Sequence, residues 1–145
     1  MGIKNRIQKA EQDLIEKDYE NALIQVLMAV GATSRKRYPK LKDSKAFTKY
    51  LKDDFSRKIQ ENISITGGFI RIHYDGEMID FETLIYKSLR CNLFHESEIG
   101  PKIVFSEPHS GFSVSYDGKN LVLGWGIIEI LKRIVIESRE NINEF

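Results

Sequence analysis

Arg90 and His95 are the two residues of this sequence whose types and spacing point most directly to chemistry. The planar guanidinium of an arginine presents paired N–H donors that match phosphate oxygens, and it keeps its charge throughout a reaction. Histidine has an unperturbed pKa of about 6.5, so it can both accept and donate protons near neutrality. The pair is therefore a candidate for phosphate chemistry, in which Arg90 stabilises negative charge and His95 transfers protons. The alternative is a surface His95 that caps the helix end and an Arg90 bonded to nearby carboxylates such as Glu96 or Glu98.

The segment before the pair has the pattern of a helix. Apolar residues recur at helical spacing over 82–94, and Gly100-Pro101 closes the region. In a continuous α-helix, residues five apart would diverge by about 7.5 Å along the axis and about 140° around it. The two side chains can therefore meet only if the helix ends before His95.

Residues 82–96 resemble the signature of the HEPN family, in which an Arg, four intervening residues and a His follow a bundle helix. The resemblance extends to 41–55 and 29–33, and so to most of the chain. Cys91 stands after the Arg, where the family often has Asn, Asp or His. The candidate supporting residues in and near the pair are Asn92, Tyr86, Lys87 and Glu96.

The resemblance implies a helical bundle that acts as a metal-independent endoribonuclease without a cofactor, commonly a toxin or an effector of antiphage defence. The expected products carry a 2′,3′-cyclic phosphate and a 5′-hydroxyl. His95 alone cannot conveniently serve as both acid and base in the same step, so a single chain lacks one of the two groups. We therefore expect a homodimer with a shared cleft, RNA as substrate, and a cognate antitoxin or other partner protein as a further candidate partner. The alternative is a non-catalytic HEPN-like module that binds nucleotides or a partner protein.

Basic residues are concentrated in one segment, although the net charge is only +1. Residues 35–52 contain eight basic side chains and a single acid, Asp43, whereas acids gather near both ends of the sequence. This asymmetry predicts a face that attracts phosphates. The alternative is an ordinary solvated helix surface. The residues predicted to contact RNA phosphates are Lys45, Lys49, Lys52, Arg35 and Arg37.

Composition places the chain among ordinary globular proteins. It has 145 residues, an apolar share of 41% and a single cysteine, which favours one domain over 1–145 in a reducing compartment. The opening residues lack a secretory pattern, and no apolar run is long enough to span a bilayer. We therefore expect a cytoplasmic protein without a membrane partner. His73 and His109 lack metal-ligand spacing, so no metal site is predicted.

Hydrophobic spacing predicts a mainly α fold, a HEPN-like helical bundle with one or two small β-hairpins. Asp18 is predicted to cap the N-terminus of the second helix, and Pro39 is predicted to terminate that helix. The Asp75-Gly76 pair predicts a tight hairpin turn. The first predicted helix is 3–16, the second begins at 19 and the third begins at about 43. Two further helices are predicted over 82–94 and about 125–138. β structure is predicted around 69–81 and 102–123.

Overall fold

The computed structural model describes residues 2–62, 71–74, 76–88, 102–106, 114–116 and 118–145. These residues form a mainly α fold with five helices and five short strands, which confirms the predicted fold class. The chain divides into two compact units. The helical unit comprises Met1–Gly68 and Ile128–Phe145, and the mixed unit comprises Phe69–Ile127. The single domain over 1–145 stays a prediction.

The helical unit contains the longest helices. Its elements are α1 (Ile3–Ile15), α2 (Tyr19–Arg37), α3 (Asp43–Asn62), most of α5 (Gly126–Glu137) and a 3₁₀ turn (Arg139–Asn141). Apolar residues three and four apart turn inward along each helix, as a buried stripe requires. The fully or nearly fully buried side chains of α2 and α3 include Leu23, Val26, Leu27, Val30, Phe47, Tyr50 and Leu51. Within the described residues, every helix is too short or too polar to cross a bilayer.

The junction between α1 and α2 is built by local hydrogen bonds. Lys17 adopts a left-handed φ of 59°. Its N–H donates to the Leu14 carbonyl at 3.0 Å, while the Asp18 N–H donates to the Asp13 carbonyl at 2.8 Å, the pattern of a Schellman motif. The Asp18 carboxylate then accepts from the Asn21 N–H at 3.2 Å. The predicted cap at Asp18 is confirmed.

The mixed unit carries all five strands. Its elements are β1 (Arg71–Tyr74), β2 (Glu77–Asp80), α4 (Phe81–Ser88), β3 (Lys102–Ser106), β4 (Val114–Tyr116) and β5 (Asn120–Gly124). Strands β1 and β2 pair antiparallel with Tyr74 opposite Glu77. Gly76 has a φ of 81° in the turn between them, which a two-residue hairpin of this kind requires. The predicted hairpin is confirmed.

The second β region differs from a simple hairpin. β5 lies at the centre of a three-stranded sheet, with β3 parallel on one side and β4 antiparallel on the other. Hydrophobic alternation predicts that these segments are strands, but it does not determine which strands pair. The β structure predicted from 102 onward includes β3, and the predicted hairpin is correct for β4 and β5, but the parallel pairing of β3 with β5 was not predicted.

Replacing Lys17 by glycine tests the junction. A non-glycine residue in the left-handed region costs about 1–2 kcal/mol, part of which is offset by the greater unfolded-state entropy of glycine. We expect Lys17→Gly to raise the free energy of unfolding by about 0.5–1 kcal/mol, measured by urea denaturation. The control Gln8→Gly, on the exposed side of α1, should lower it by about 1 kcal/mol. Destabilisation by both changes would contradict this account.

Candidate functional site

The predicted catalytic residues lie outside the described part of the chain. Arg90, His95, Asn92 and Glu96 fall within 89–101, so their geometry stays a prediction. The structure describes the helix that leads to them, α4, as far as Ser88. On that helix Tyr86 is half-buried and Lys87 is exposed.

A row of lysines follows the outer side of α3, and we call Lys45, Lys49 and Lys52 the lysine stripe. All three side chains are exposed. Their spacing of four and three residues places them on one helix face, over an axial length of about 10 Å. The opposite side carries the buried Phe47 and Leu51. Burial of that apolar side therefore fixes the stripe toward solvent.

Tyr38 links the end of α2 to the lysine stripe. The Lys49 ammonium lies 4.8 Å from the centre of the Tyr38 ring, within the range of a cation–π interaction. The Tyr38 hydroxyl donates to Asp53 Oδ2 at 3.2 Å. Burial, followed by the negative charge of Asp53, raises the pKa of Tyr38. The ring therefore stays neutral beside the stripe. Arg35 is exposed in the last turn of the same helix α2.

Arg37 differs from the other four predicted phosphate contacts, because its guanidinium is held by two carboxylates. Its Nη1 and Nη2 donate to the two Asp54 oxygens at 2.9 and 3.1 Å. Its Nε and Nη2 donate to the two Glu140 oxygens at 2.8 and 3.1 Å. The guanidinium also lies 4.6 Å from the centre of the Tyr50 ring. Arg37 thus joins α2, α3 and the 3₁₀ turn, and its contact with RNA stays a prediction.

The charges of this cluster reinforce one another. Burial lowers the pKa of Arg37, but the hydrogen bonds that it donates to Glu140 and Asp54 raise it by more, so the guanidinium stays charged. The same hydrogen bond from Arg37 lowers the pKa of Glu140, against the opposing effect of burial. Each charge keeps its partner ionised, which is the condition under which buried ions are tolerated.

The Tyr50 hydroxyl completes the polar interior. It lies 2.5 Å from Ser138 Oγ and donates to the Ile134 carbonyl at 3.3 Å. Burial raises the pKa of Tyr50 despite the hydrogen bond to Ser138, so the phenol is neutral at physiological pH. This group therefore holds α3 against the end of α5.

Sequence reasoning missed Asp54 and Glu140 as partners of Arg37. One signal for Asp54 is present, since it lies seven residues after Phe47 and four after Tyr50 on the inner face of α3. An acid on an apolar stripe needs a buried cation. Nothing near Glu140 in the sequence marks its partner. Among the residues that the structure describes, no three His, Cys, Asp or Glu side chains come close enough to hold a metal ion.

Comparison with known proteins gives one result. The model of the Rv1289 family matches residues 2–145. The chain belongs to the Rv1289 family. No curated protein matches it, and no solved structure does either. For this Rv1289 family member, the resemblance to HEPN domains stays a prediction based on residues 82–96.

The pH dependence of stability tests the Arg37 cluster. The pKa of Glu140 is lower in the folded state than in the unfolded state. The ionised carboxylate therefore stabilises the fold fully at pH above its unfolded-state pKa, about 4.3. This stabilisation disappears as pH falls through the folded-state pKa. We expect Glu140→Gln to lower the free energy of unfolding by about 1–3 kcal/mol at pH 7. Urea denaturation should show this deficit shrinking as pH falls below about 4. The exposed Glu16→Gln is the control and should change stability by less than about 0.5 kcal/mol; a pH-independent deficit for Glu140→Gln would contradict the ion-pair account.

Proposed function

We propose that this protein binds RNA through the lysine stripe and cleaves it with Arg90 and His95 as a metal-independent endoribonuclease of HEPN type. The observation that supports the binding half is the exposure of Lys45, Lys49 and Lys52 on one face of α3. The support for the cleavage half is the Arg90–His95 motif at the end of the α4 segment.

The stripe has the dimensions and charge for an RNA backbone. Its axial length of about 10 Å is enough for successive phosphates of one strand, each met by one ammonium. Tyr38 adds an aromatic ring beside Lys49, and proteins that bind single strands commonly combine a cationic track with such a ring. The contacts are to backbone phosphates, so they carry affinity rather than sequence specificity.

The proposed chemistry is transesterification within the RNA strand. His95 of one chain takes the proton of the 2′-hydroxyl, whose oxygen attacks the adjacent phosphorus. The bond from phosphorus to the 5′-oxygen breaks, and the partner's His95 supplies the proton that this oxygen needs. Arg90 side chains stabilise the additional negative charge of the phosphorane. The products are a 2′,3′-cyclic phosphate and a 5′-hydroxyl.

This mechanism requires a homodimer, because each chain supplies one His95. A two-fold axis near the end of the α4 segment brings both pairs into one cleft. A toxin or antiphage-defence role, with a cognate antitoxin or partner protein, follows from the HEPN resemblance and is part of the proposal.

A non-catalytic module that binds RNA or nucleotides is the second candidate. One observation favours it. The exposed lysine stripe is suited to binding phosphates, and such binding requires no catalytic residue. Binding without cleavage would select this alternative.

Charge removal on the stripe tests RNA binding. We expect the triple variant Lys45→Gln, Lys49→Gln, Lys52→Gln to bind RNA more weakly. The slope of the logarithm of the association constant against the logarithm of salt concentration should decrease in magnitude by about 2, because about 0.7 counterion is released per phosphate contact on a single strand. The matched control replaces the exposed Lys4, Lys17 and Lys119 by Gln, which changes net charge equally. Anisotropy titrations of a 2′-O-methyl RNA, which lacks the 2′-hydroxyl that cleavage needs, make the measurement over a salt series. Equal losses in both triple variants would show that only overall charge matters.

Substitution of the motif tests cleavage. His95→Ala should lower the cleavage rate of labelled RNA by about 10²–10⁴-fold, and Arg90→Lys should lose most of the rate because an ammonium lacks the two-donor fork. Both assays contain EDTA, which should leave the wild-type rate unchanged. Mixing His95→Ala with Arg90→Ala chains should restore part of the rate if the cleft is shared. Full activity of His95→Ala would overturn the assignment.

A further inference from the structure

Lys36 is a basic residue of α2 that the predicted RNA contacts leave out. Its ammonium donates to Glu144 Oε1 at 3.0 Å and lies 3.4 Å from Asn141 Oδ1. Both partners belong to the segment that follows α5 and are more than a hundred residues away in sequence. The two contacts differ in strength and in exposure.

The contact with Asn141 is the longer of the two, but the acceptor itself is fixed. Asn141 is fully buried. Its Nδ2 donates to Thr33 Oγ1 at 2.8 Å and to the Val135 carbonyl at 2.9 Å. Because both hydrogens of the amide are engaged, the amide plane is fixed and its oxygen faces the Lys36 ammonium. The Lys36 ammonium therefore has one fixed neutral acceptor, which stays in place whichever anion lies beside the ammonium.

The contact with Glu144 is the shorter of the two, but it lies where solvent reaches it. The Lys36 and Glu144 side chains remain 40% and 34% exposed, and ion pairs of this kind contribute only about 0–1 kcal/mol. The neighbouring apolar side chains do not anchor the segment, since Ile142 is 77% and Phe145 is 46% exposed. Glu144 can therefore leave Lys36 without disturbing the buried Asn141.

Lys36 lies in the last turn of α2, as Arg35 does. It follows the exposed Arg35 in the chain and precedes Tyr38 by two residues, and the Tyr38 ring contacts Lys49 of the lysine stripe. An RNA strand on the stripe that continues along the last turn of α2 would bring a phosphate to Lys36. A carboxylate and a phosphate are both oxyanions that accept hydrogen bonds from an ammonium.

We propose that Lys36 is a phosphate-binding residue of this surface and that the Glu144 carboxylate occupies its position until RNA displaces it. This inference rests on the proposed function, because it requires RNA on the lysine stripe. Glu144 acts as a built-in competitor, so the affinity for RNA is lower than the basic residues alone would give. Arg37 is held by two carboxylates, both less exposed than Glu144, and is not released in this way.

A double-mutant cycle on the full chain tests the competition. The variants are Glu144→Gln, Lys36→Gln and the two combined. The probe is a fluorescently labelled 2′-O-methyl oligouridylate, which lacks the 2′-hydroxyl that cleavage needs, titrated at low salt. Glu144→Gln should tighten binding by about 2–5-fold, the range that corresponds to an exposed ion pair. Lys36→Gln should weaken binding by a similar factor. The double variant should match Lys36→Gln, because Glu144 acts only through Lys36.

The matched control separates local competition from overall charge. Glu16→Gln removes an exposed acid at the end of α1 and changes net charge equally. If Glu144→Gln tightens binding no more than Glu16→Gln, or tightens it equally with and without Lys36, the inference is wrong while the proposed function stands. If the wild-type chain does not bind the oligouridylate, the proposed function fails and the inference falls with it.

Discussion

The ion pairs of Arg37 with Asp54 and Glu140 hold the helical unit together at the end of α2. A guanidinium that is largely removed from water must have its donors satisfied, and removing one partner of such a group is costly because the others remain buried. The three residues belong to α2, α3 and the 3₁₀ turn, and so a single charge network fixes the relative positions of three elements. Tyr50 extends it, since its ring contacts Arg37 and its hydroxyl contacts Ser138.

The basic residues around this network form a graded series. Arg37 is turned inward and held by two carboxylates with little exposure. Lys36, next to it in the chain, has one buried neutral partner and one exposed carboxylate. The lysine stripe faces water along α3. Because an anion from solution reaches only cations that water can reach, access to dissolved anions increases from Arg37 through Lys36 to the lysine stripe.

Such an arrangement separates stability from binding. The buried cluster depends on strong, short hydrogen bonds between ions, whereas a phosphate-binding surface depends on charges that exchange their partners. Membership of the Rv1289 family covers residues 2–145, so both features belong to the matched region together with the Arg90–His95 motif. Under the proposed function, substitutions in the lysine stripe change the affinity for RNA. Substitutions in the Arg37 network change the free energy of unfolding instead.

The sequence by itself determined the features that depend on near neighbours. The cap at Asp18, the helix spacing of α1 to α3 and the tight turn before Glu77 are governed by residues within a few positions, and each was predictable. The Arg90–His95 motif is inferred from sequence spacing alone, and its role stays a prediction. The tertiary structure alone decided the partners that lie far apart. Arg37 and Glu140 are separated by 103 residues, Lys36 and Glu144 by 108, and the parallel pairing of β3 with β5 joins strands with β4 between them. Local spacing shows which residues share a face of a helix or strand, but only the folded chain decides which charges meet. Arg37 therefore differs from the basic residues beside it because the fold brings Asp54 and Glu140 to its guanidinium.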